Sequence, residues 1–223
     1  MANDYEKCNP EINHHFNKKI ALNCIEITMK FRDGSRYEGQ IGNNIFEGFG
    51  KFHFAENDWE GRKEYNGEWM NGAKDGMGKM IYQNGRVYEG LWKNDKRNGK
   101  GYYINDGGRY IGDWKNDIMN GEGEAYFADG SKYNGDWKDG KIHGNGVKYF
   151  PNGSSYNGYW KNGKMHGYGE RITSNGSKFV GNWKDSKMHG KGEKIYAGSS
   201  YNGDWSNGKR HGRGEKTYAD GAK

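Results

Sequence analysis

Apolar and polar residues alternate along this chain in short stretches, most clearly in the motif Y-x-G-x-W, as in "YNGYW" from Tyr156 to Trp160. A period of two places alternate side chains on the same face of a β-strand. The central glycine leaves space beside the two rings, so that a neighbouring ring or backbone can approach closely. The pattern therefore predicts a β-strand at each copy of the motif.

The motif recurs eight times, at intervals of 22 to 28 residues. Glycine stands two residues after the leading aromatic in all eight copies, and tryptophan stands four residues after it in seven. Copies in such regular register predict a repeat array. The first interval is the longest, which predicts a loop near residues 57–63 that holds Trp59 at the surface. The copies begin at Tyr37, Tyr65, Tyr88, Tyr110, Tyr133, Tyr156, Phe179 and Tyr201.

Turn motifs occur at two positions of the repeat. Asn-Gly or Asp-Gly follows the tryptophan at Asn71-Gly72, Asp139-Gly140, Asn162-Gly163 and Asn207-Gly208, and this dipeptide strongly favours a tight β-hairpin. A second turn dipeptide, such as Asn152-Gly153, ends the copy. We therefore predict that each repeat is one β-hairpin, which buries its apolar face by stacking on its neighbours.

The full pattern, Y-x-G-x-W-x-x-G-x-x-H-G-x-G, resembles the MORN repeat (membrane occupation and recognition nexus) over residues 37–223. Ile41 in place of Trp, Phe179 in place of Tyr and Ser186 in place of a turn glycine depart from it. The resemblance implies an all-β fold, an elongated antiparallel hairpin array in a single twisted sheet with an aromatic-lined groove. We assign residues 31–223 to this array and residues 1–30 to an N-terminal cap or extension, with a strand within residues 20–31.

Composition is compatible with this fold. Hydrophobic residues make up only 32% of the chain and the mean hydropathy is −1.25, which is typical of disorder. However, aromatics reach 15%, and large rings can bury much surface. Cys8 and Cys24 are too few for a disulfide framework and lack zinc-site spacing, so a reducing cytoplasm is expected. We see no signal peptide and no apolar run of about 20 residues.

The segment from Gly158 to Lys164 contains G-x-x-x-x-G-K, most of a phosphate-binding P-loop. Met165 stands where the magnesium-binding Ser or Thr would be, and the predicted setting is strand–turn–strand rather than strand–turn–helix. We therefore expect no nucleotide site. No arrangement of nucleophiles or paired acids points to catalysis, and we predict a non-enzyme without cofactor or metal.

Histidine stands ten residues after the leading aromatic in the last four copies. Equivalent positions should lie ~10 Å apart, whereas zinc requires nitrogen ligands at about 2.0–2.1 Å. We interpret the row as polar residues that support the turns, and a pH-sensitive row is the alternative. The row comprises His143, His166, His189 and His211.

Positive charge is concentrated in the second half of the chain. Residues 133–223 hold 16 Lys and Arg against 8 Asp and Glu, or +8, so the remainder carries −2 of the total +6. Lysines recur after the tryptophan and in the turn. They form either a solvated row or an anion-facing strip for acidic lipid head groups or an acidic protein. The members of this turn-edge lysine row are Lys138, Lys141, Lys161, Lys164, Lys184, Lys187 and Lys209.

The resemblance implies a scaffold or adaptor that holds a partner peptide or helix in its groove, within a cytoskeletal, ciliary or membrane-associated assembly. Tryptophan and tyrosine commonly dominate such interfaces. Two alternatives are a peripheral membrane module that binds phosphoinositides and a regulatory fragment of a larger enzyme, and a homodimer stays open. Nucleic acid is disfavoured, because the rings alternate with glycine as packing units. The expected groove residues are Tyr110, Trp114, Tyr133, Trp137, Tyr156, Trp160 and Trp183.

Overall fold

The computed structural model describes residues 25–223, where it contains seventeen β-strands and no helix. Cys8, Cys24 and the start of the predicted N-terminal strand lie outside the described residues. The predicted all-β antiparallel fold is confirmed. The strands are β1 Ile25–Lys30, β2 Arg36–Gly42, β3 Ile45–His53, β4 Arg62–Met70, β5 Ala73–Tyr82, β6 Val87–Lys93, β7 Lys96–Asn105, β8 Gly108–Lys115, β9 Ile118–Phe127, β10 Lys132–Lys138, β11 Lys141–Tyr149, β12 Ser155–Lys161, β13 Lys164–Ile172, β14 Lys178–Lys184, β15 Lys187–Tyr196, β16 Ser199–Ser206 and β17 Lys209–Thr217.

The chain divides into two compact units. The described part of the first comprises residues 25–106 and 114–117, and the second comprises residues 107–113 and 118–223. Within the first unit, consecutive strands from β1 to β7 pair antiparallel. Within the second, consecutive strands from β9 to β17 do the same. Each unit is therefore a succession of hairpins, while the length of the whole array stays a prediction.

Glycines lie opposite one another in neighbouring strands and leave a bare strip of backbone. Gly158 pairs with Gly169, which in turn pairs with Gly181. A Cβ on Gly158 would lie 2.5 Å from the Gly169 Cα, and a Cβ on Gly169 would lie 2.4 Å from the Tyr156 hydroxyl. The Tyr156 ring thus occupies the space that side chains would take. The prediction that the motif glycine allows a neighbouring ring or backbone to approach closely is confirmed; at Gly158 the nearest atoms belong to the opposite backbone, and the ring lies over Gly169.

The tyrosine hydroxyl also forms a hydrogen bond at the point where the strand register of its own hairpin shifts. Tyr156 Oη donates to the carbonyl of Tyr159, 3.1 Å away, where the strand register shifts between Gly158 and Trp160. All seven repeats that begin with tyrosine make this bond, at 2.7–3.4 Å. Burial raises the pKa of Tyr156 far above its ordinary value, so the hydroxyl remains a donor. Phe179 is the one leading residue that cannot donate.

Tryptophan joins each repeat to the one before it. Trp160 packs edge-on against Tyr156 of its own repeat and Tyr133 of the preceding repeat, with ring centroids 4.9 and 5.8 Å apart. Its Nε1 donates to the Gly146 carbonyl of the preceding repeat at 3.1 Å. All seven tryptophans of the motif make this bond, at 2.9–3.4 Å. Ile41 begins the array, where no earlier repeat offers such a carbonyl, as is usual for a terminal repeat.

Two turn types alternate. Asn162 and Gly163 have φ values of 51° and 78°, the pair of positive angles that defines a type I′ turn. At the other turn, Gly153 has φ 80° and the Asn152 side chain accepts from the Ser154 N–H at 3.1 Å. Both turns lie where the dipeptides predicted them.

The long first interval forms a braced loop. The Asp58 carboxylate accepts from the Arg62 backbone N–H at 2.8 Å and from its Nη2 at 2.7 Å. These hydrogen bonds hold the pKa of Asp58 below its usual value. Trp59 at the tip is 86% exposed. The predicted surface position of Trp59 is confirmed.

The two kinds of glycine should respond differently to alanine. Gly158→Ala should destabilise the protein by more than about 3 kcal/mol, because its Cβ would collide with backbone that cannot move aside. Gly163→Ala, with open space around the Cβ but φ 78°, should cost about 1–2 kcal/mol. Urea denaturation of both variants checks this, and equal losses would show that close approach is not the constraint.

Candidate functional site

The aromatic residues expected to line a partner-binding groove form the core. None of the seven exposes more than 6% of its surface. Trp137, for example, packs against Tyr133 and donates its Nε1 to a glycine carbonyl. A bound partner would first meet the side chains around these rings. Direct contact between a partner and the rings stays a prediction. The seven are Tyr110, Trp114, Tyr133, Trp137, Tyr156, Trp160 and Trp183.

The turn-edge lysine row lies on the surface, beside the type I′ turns. All seven members are exposed, and in residues 25–223 none forms an ion pair. Three hairpins place two lysines directly opposite each other, an arrangement that repels. Binding of anions by this row stays a prediction. The opposed pairs are Lys138 with Lys141, Lys161 with Lys164, and Lys184 with Lys187.

The histidine row lies beside the turn of the following repeat. His143 Nδ1 accepts a long hydrogen bond, 3.5 Å, from the Asn162 N–H at the start of that turn. In the first repeat Glu47 occupies the equivalent position and accepts from the Asn71 N–H at 2.9 Å. His143 thus agrees with the interpretation that the row supports turns, whereas the Nδ1 atoms of His166 and His189 are buried without a hydrogen-bond partner within residues 25–223. For the row as a whole that interpretation stays a prediction. Among the described residues, no group of three His, Cys, Asp or Glu side chains is arranged to hold a metal ion.

A second set of cations was not singled out from the sequence. The residue fifteen positions after the leading aromatic is apolar in the first four repeats, as Phe52, Met80, Tyr103 and Ala125. In the last four repeats it is basic. We call these four residues the cation row: Lys148, Arg171, Lys194 and Lys216.

Strand pairing places the cation row on the aromatic face. Lys148 lies opposite Tyr156, Arg171 opposite Phe179, and Lys194 opposite Tyr201. Side chains that lie directly opposite in an antiparallel pair share one face of the sheet. The switch from apolar to basic at one repeat position was the sequence feature that could have found this row.

Aromatic rings flank the cation row. Lys148 Nζ lies 4.8 Å from the centroid of the Phe127 ring, and Arg171 Cζ lies 5.7 Å from that of Phe150. All four members are half-buried, and none forms an ion pair within the described part of the chain. Charged groups removed from water are ordinarily paired. Packing alone therefore does not account for this row.

Comparison with known proteins identifies the repeat. The family model described as MORN repeat matches residues 37–59, 65–85, 88–109, 110–132, 133–155, 156–178, 179–200 and 201–223. The chain belongs to the MORN-repeat family. Such repeats are typical of protein- or membrane-interaction modules and are typically non-catalytic. In residues 25–223 there is no helix long and apolar enough to cross a membrane.

A search of curated proteins gives no significant match. Among solved structures, one similar chain is the SAS-4 (dCPAP) TCP domain of Drosophila melanogaster, in complex with a proline-rich motif of Ana2 (dSTIL). It is 13% identical, with a TM-score of 0.36, and the match covers 90% of this chain and 94% of that one. A similarity at this level supports no inference about ligands.

The two basic rows of the MORN repeats differ in their surroundings. The turn-edge lysines are exposed, so water and salt screen them. The cation row is half-buried among rings, where charge interacts more strongly. Members of the cation row are two strands apart, which gives a spacing of ~10 Å along the second unit.

The opposed lysines predict a gain in stability when one is reversed. Lys161→Glu should stabilise the fold by about 0.5 kcal/mol, because a carboxylate would then lie opposite Lys164. Lys161→Gln, which only removes the repulsion, should give a smaller gain. Urea denaturation at low and high salt checks this. A loss of stability in both variants would mean that the lysines themselves stabilise the hairpin.

Proposed function

We propose that this MORN-repeat protein is a non-catalytic scaffold or adaptor that binds an acidic segment of a partner protein along the aromatic face of its second unit. The observation that carries the proposal is the cation row, four half-buried cations that form no ion pair within the described residues. We place this role in the cytoplasm, within a cytoskeletal, ciliary or membrane-associated assembly, as the family resemblance implies.

The depth of the cation row favours a narrow ligand. Arg171 and Lys194 line a cavity of about 350 Å³ on the aromatic face. A polypeptide segment can place side chains into such a recess, whereas a flat bilayer meets the most exposed groups first. The row therefore suits a protein segment better than a membrane surface.

The buried rings contribute by holding the cations in place. Phe179 lies between Arg171 on one neighbouring strand and Lys194 on the other. Arg171 and Lys194 also lie over the Phe150 and Tyr196 rings, 5.7 and 5.9 Å from their centroids. Cations packed in this way lose less freedom when an anion binds. The predicted groove residues would then act mainly as a rigid floor, with partner contacts at their edges.

The ~10 Å spacing constrains the partner's conformation. Seven residues of an α-helix rise 10.5 Å, and three residues of a polyproline II segment rise about 9.3 Å. Same-side residues of an extended strand repeat at only about 6.8 Å. An acidic side chain every seventh residue of a helix, or every third residue of a polyproline II segment, would match the row.

A helical peptide with glutamate at every seventh position tests the proposal. It should bind more tightly than a peptide of the same composition with shuffled glutamates, as measured by fluorescence anisotropy. Arg171→Gln/Lys194→Gln should weaken binding at least tenfold, since charged hydrogen bonds contribute about 1.5–3 kcal/mol each.

The matched control is Lys161→Gln/Lys164→Gln, which removes the same charge from the exposed edge. This variant should change affinity less than threefold, with circular dichroism confirming that both variants fold. If the edge variant weakens binding as much as the cation-row variant, non-specific attraction explains the result and the proposed site is wrong.

A second candidate function is binding of acidic phospholipids by the turn-edge lysine row. The opposed lysines favour it, because they form no ion pair in the described residues and concentrate exposed charge along one edge. Vesicles containing phosphatidylserine should then co-sediment with the protein at 50 mM but not at 300 mM salt. Lys161→Gln/Lys164→Gln should reduce that binding. If the protein does not bind these vesicles at either salt concentration, this candidate is excluded.

A further inference from the structure

The cavity of about 350 Å³ in the second unit coincides with two departures from the repeat. Phe179 and Ser186 both line it; Phe179 replaces the tyrosine of the other seven repeats, and Ser186 replaces the turn glycine that four of the eight repeats have. Phe179 gives up the hydroxyl–carbonyl bond that the seven tyrosine repeats make. Ser186 has φ 66°, a conformation that favours glycine. Only the hydroxyl bond is given up here, because the Ser186 side chain keeps the hydrogen bond that Asp95 and Asp117 accept at the same turn position of their own repeats.

Ser186 supplies a hydroxyl to the cavity. Its Oγ accepts a hydrogen bond from the Met165 backbone N–H at 3.2 Å. A serine hydroxyl can also donate one hydrogen bond, and no acceptor takes this proton among the residues described. The donor is therefore available to a ligand.

Cations surround the cavity without acidic residues. Arg171, Lys187 and Lys194 line it and form no ion pair within residues 25–223, whereas Lys178 pairs with Glu170. No carboxylate belongs to the lining. The Arg171 Nε is enclosed and lacks a hydrogen-bond partner in the described structure. The cavity consequently combines three cations that form no ion pair within residues 25–223 with a hydroxyl donor.

We propose that this cavity binds a phosphate monoester carried by the partner segment. A phosphorylated side chain carries about −1.5 to −2 charges and three acceptor oxygens, which matches three cations and a hydroxyl better than a single carboxylate does. The arginine fork suits phosphate geometry. Phe179 and Trp183 line the cavity but are only 4% and 5% exposed, and the half-buried Met188 adds apolar surface for the rest of that side chain.

The proposal rests on the proposed function, because the phosphate belongs to a protein segment bound on the same face. It adds that phosphorylation of the partner controls the interaction. A phosphoinositide head group shares the phosphate chemistry but belongs to a bilayer surface. Arg171 and Lys194 are half-buried in the cavity, whereas Ser186 and Lys187 are exposed. Because the two half-buried cations are needed as well, the cavity favours the protein segment.

The heptad-glutamate peptide tests this when its central residue is varied as serine, phosphoserine, phosphotyrosine or glutamate. We expect at least one phosphorylated peptide to bind tenfold or more tightly than the serine peptide, and the glutamate peptide to gain less than threefold. Arg171→Gln should abolish the gain. Arg171→Lys, which keeps the charge but loses the fork, should reduce it, and Ser186→Gly should lower it about threefold.

Lys148→Gln is the matched control, because Lys148 belongs to the cation row but does not line this cavity. It should weaken all the peptides alike and leave the ratio of phosphorylated to serine affinity unchanged. A ratio that falls equally in Lys148→Gln and Arg171→Gln would overturn the assignment of the phosphate to this cavity.

The outcomes separate the two proposals. If the serine peptide binds and phosphorylation gives no gain, the phosphate site is overturned while the acidic-segment function stands. If none of the peptides binds, both are overturned. If vesicles containing phosphatidylinositol bisphosphate bind in an Arg171-dependent manner and the phosphopeptides show no gain, the cavity serves a lipid and this inference is wrong.

Discussion

The repeat depends on one steric fit, a tyrosine ring laid over paired glycines. A Cβ at Gly169 would collide with the Tyr156 ring, and a Cβ at Gly158 would collide with the backbone of the opposite strand. With the ring seated there, its hydroxyl reaches the carbonyl at the register shift, and the next tryptophan packs against its edge. Burial, hydrogen bonding and repeat-to-repeat contact therefore all follow from the same pair of glycines.

Local features of this fold could be predicted from the sequence, because they depend on neighbouring residues. Alternation predicted the strands, Asn-Gly and Asp-Gly dipeptides predicted the turns, and the long first interval predicted the loop that carries Trp59. The bond from Trp160 to the Gly146 carbonyl could not be predicted, because it joins different repeats. The burial of the rings could not be predicted either, since the same Tyr-Gly-Trp pattern fits a covered core or an open groove.

The candidate site was harder to predict than the fold. The sequence pointed to the lysines that flank the tryptophan and the turn, because these lie next to the most regular residues of the motif. Lys148 lies far from the motif of its own repeat, and only the strand register shows that it faces Tyr156. A basic residue on the exposed edge and one on the aromatic face differ in sequence only by their position within the repeat, and the change from apolar to basic at that position is what marks Lys148. Their surroundings differ in solvent access, and therefore in how strongly they attract an anion.

Stability and binding are separable in this architecture. The tyrosine, the glycines and the tryptophan join the repeats. The position fifteen residues after the tyrosine can therefore change without altering how the strands pair. Met80 fills this position with apolar surface in one repeat, whereas Arg171 fills it with charge in another. The charged version gives up apolar burial. An anion that neutralises the cations would offset that loss and stabilise the folded state by mass action. A MORN array can thus carry binding positions in selected repeats while the tyrosine or phenylalanine, the paired glycines and the tryptophan keep the same packing.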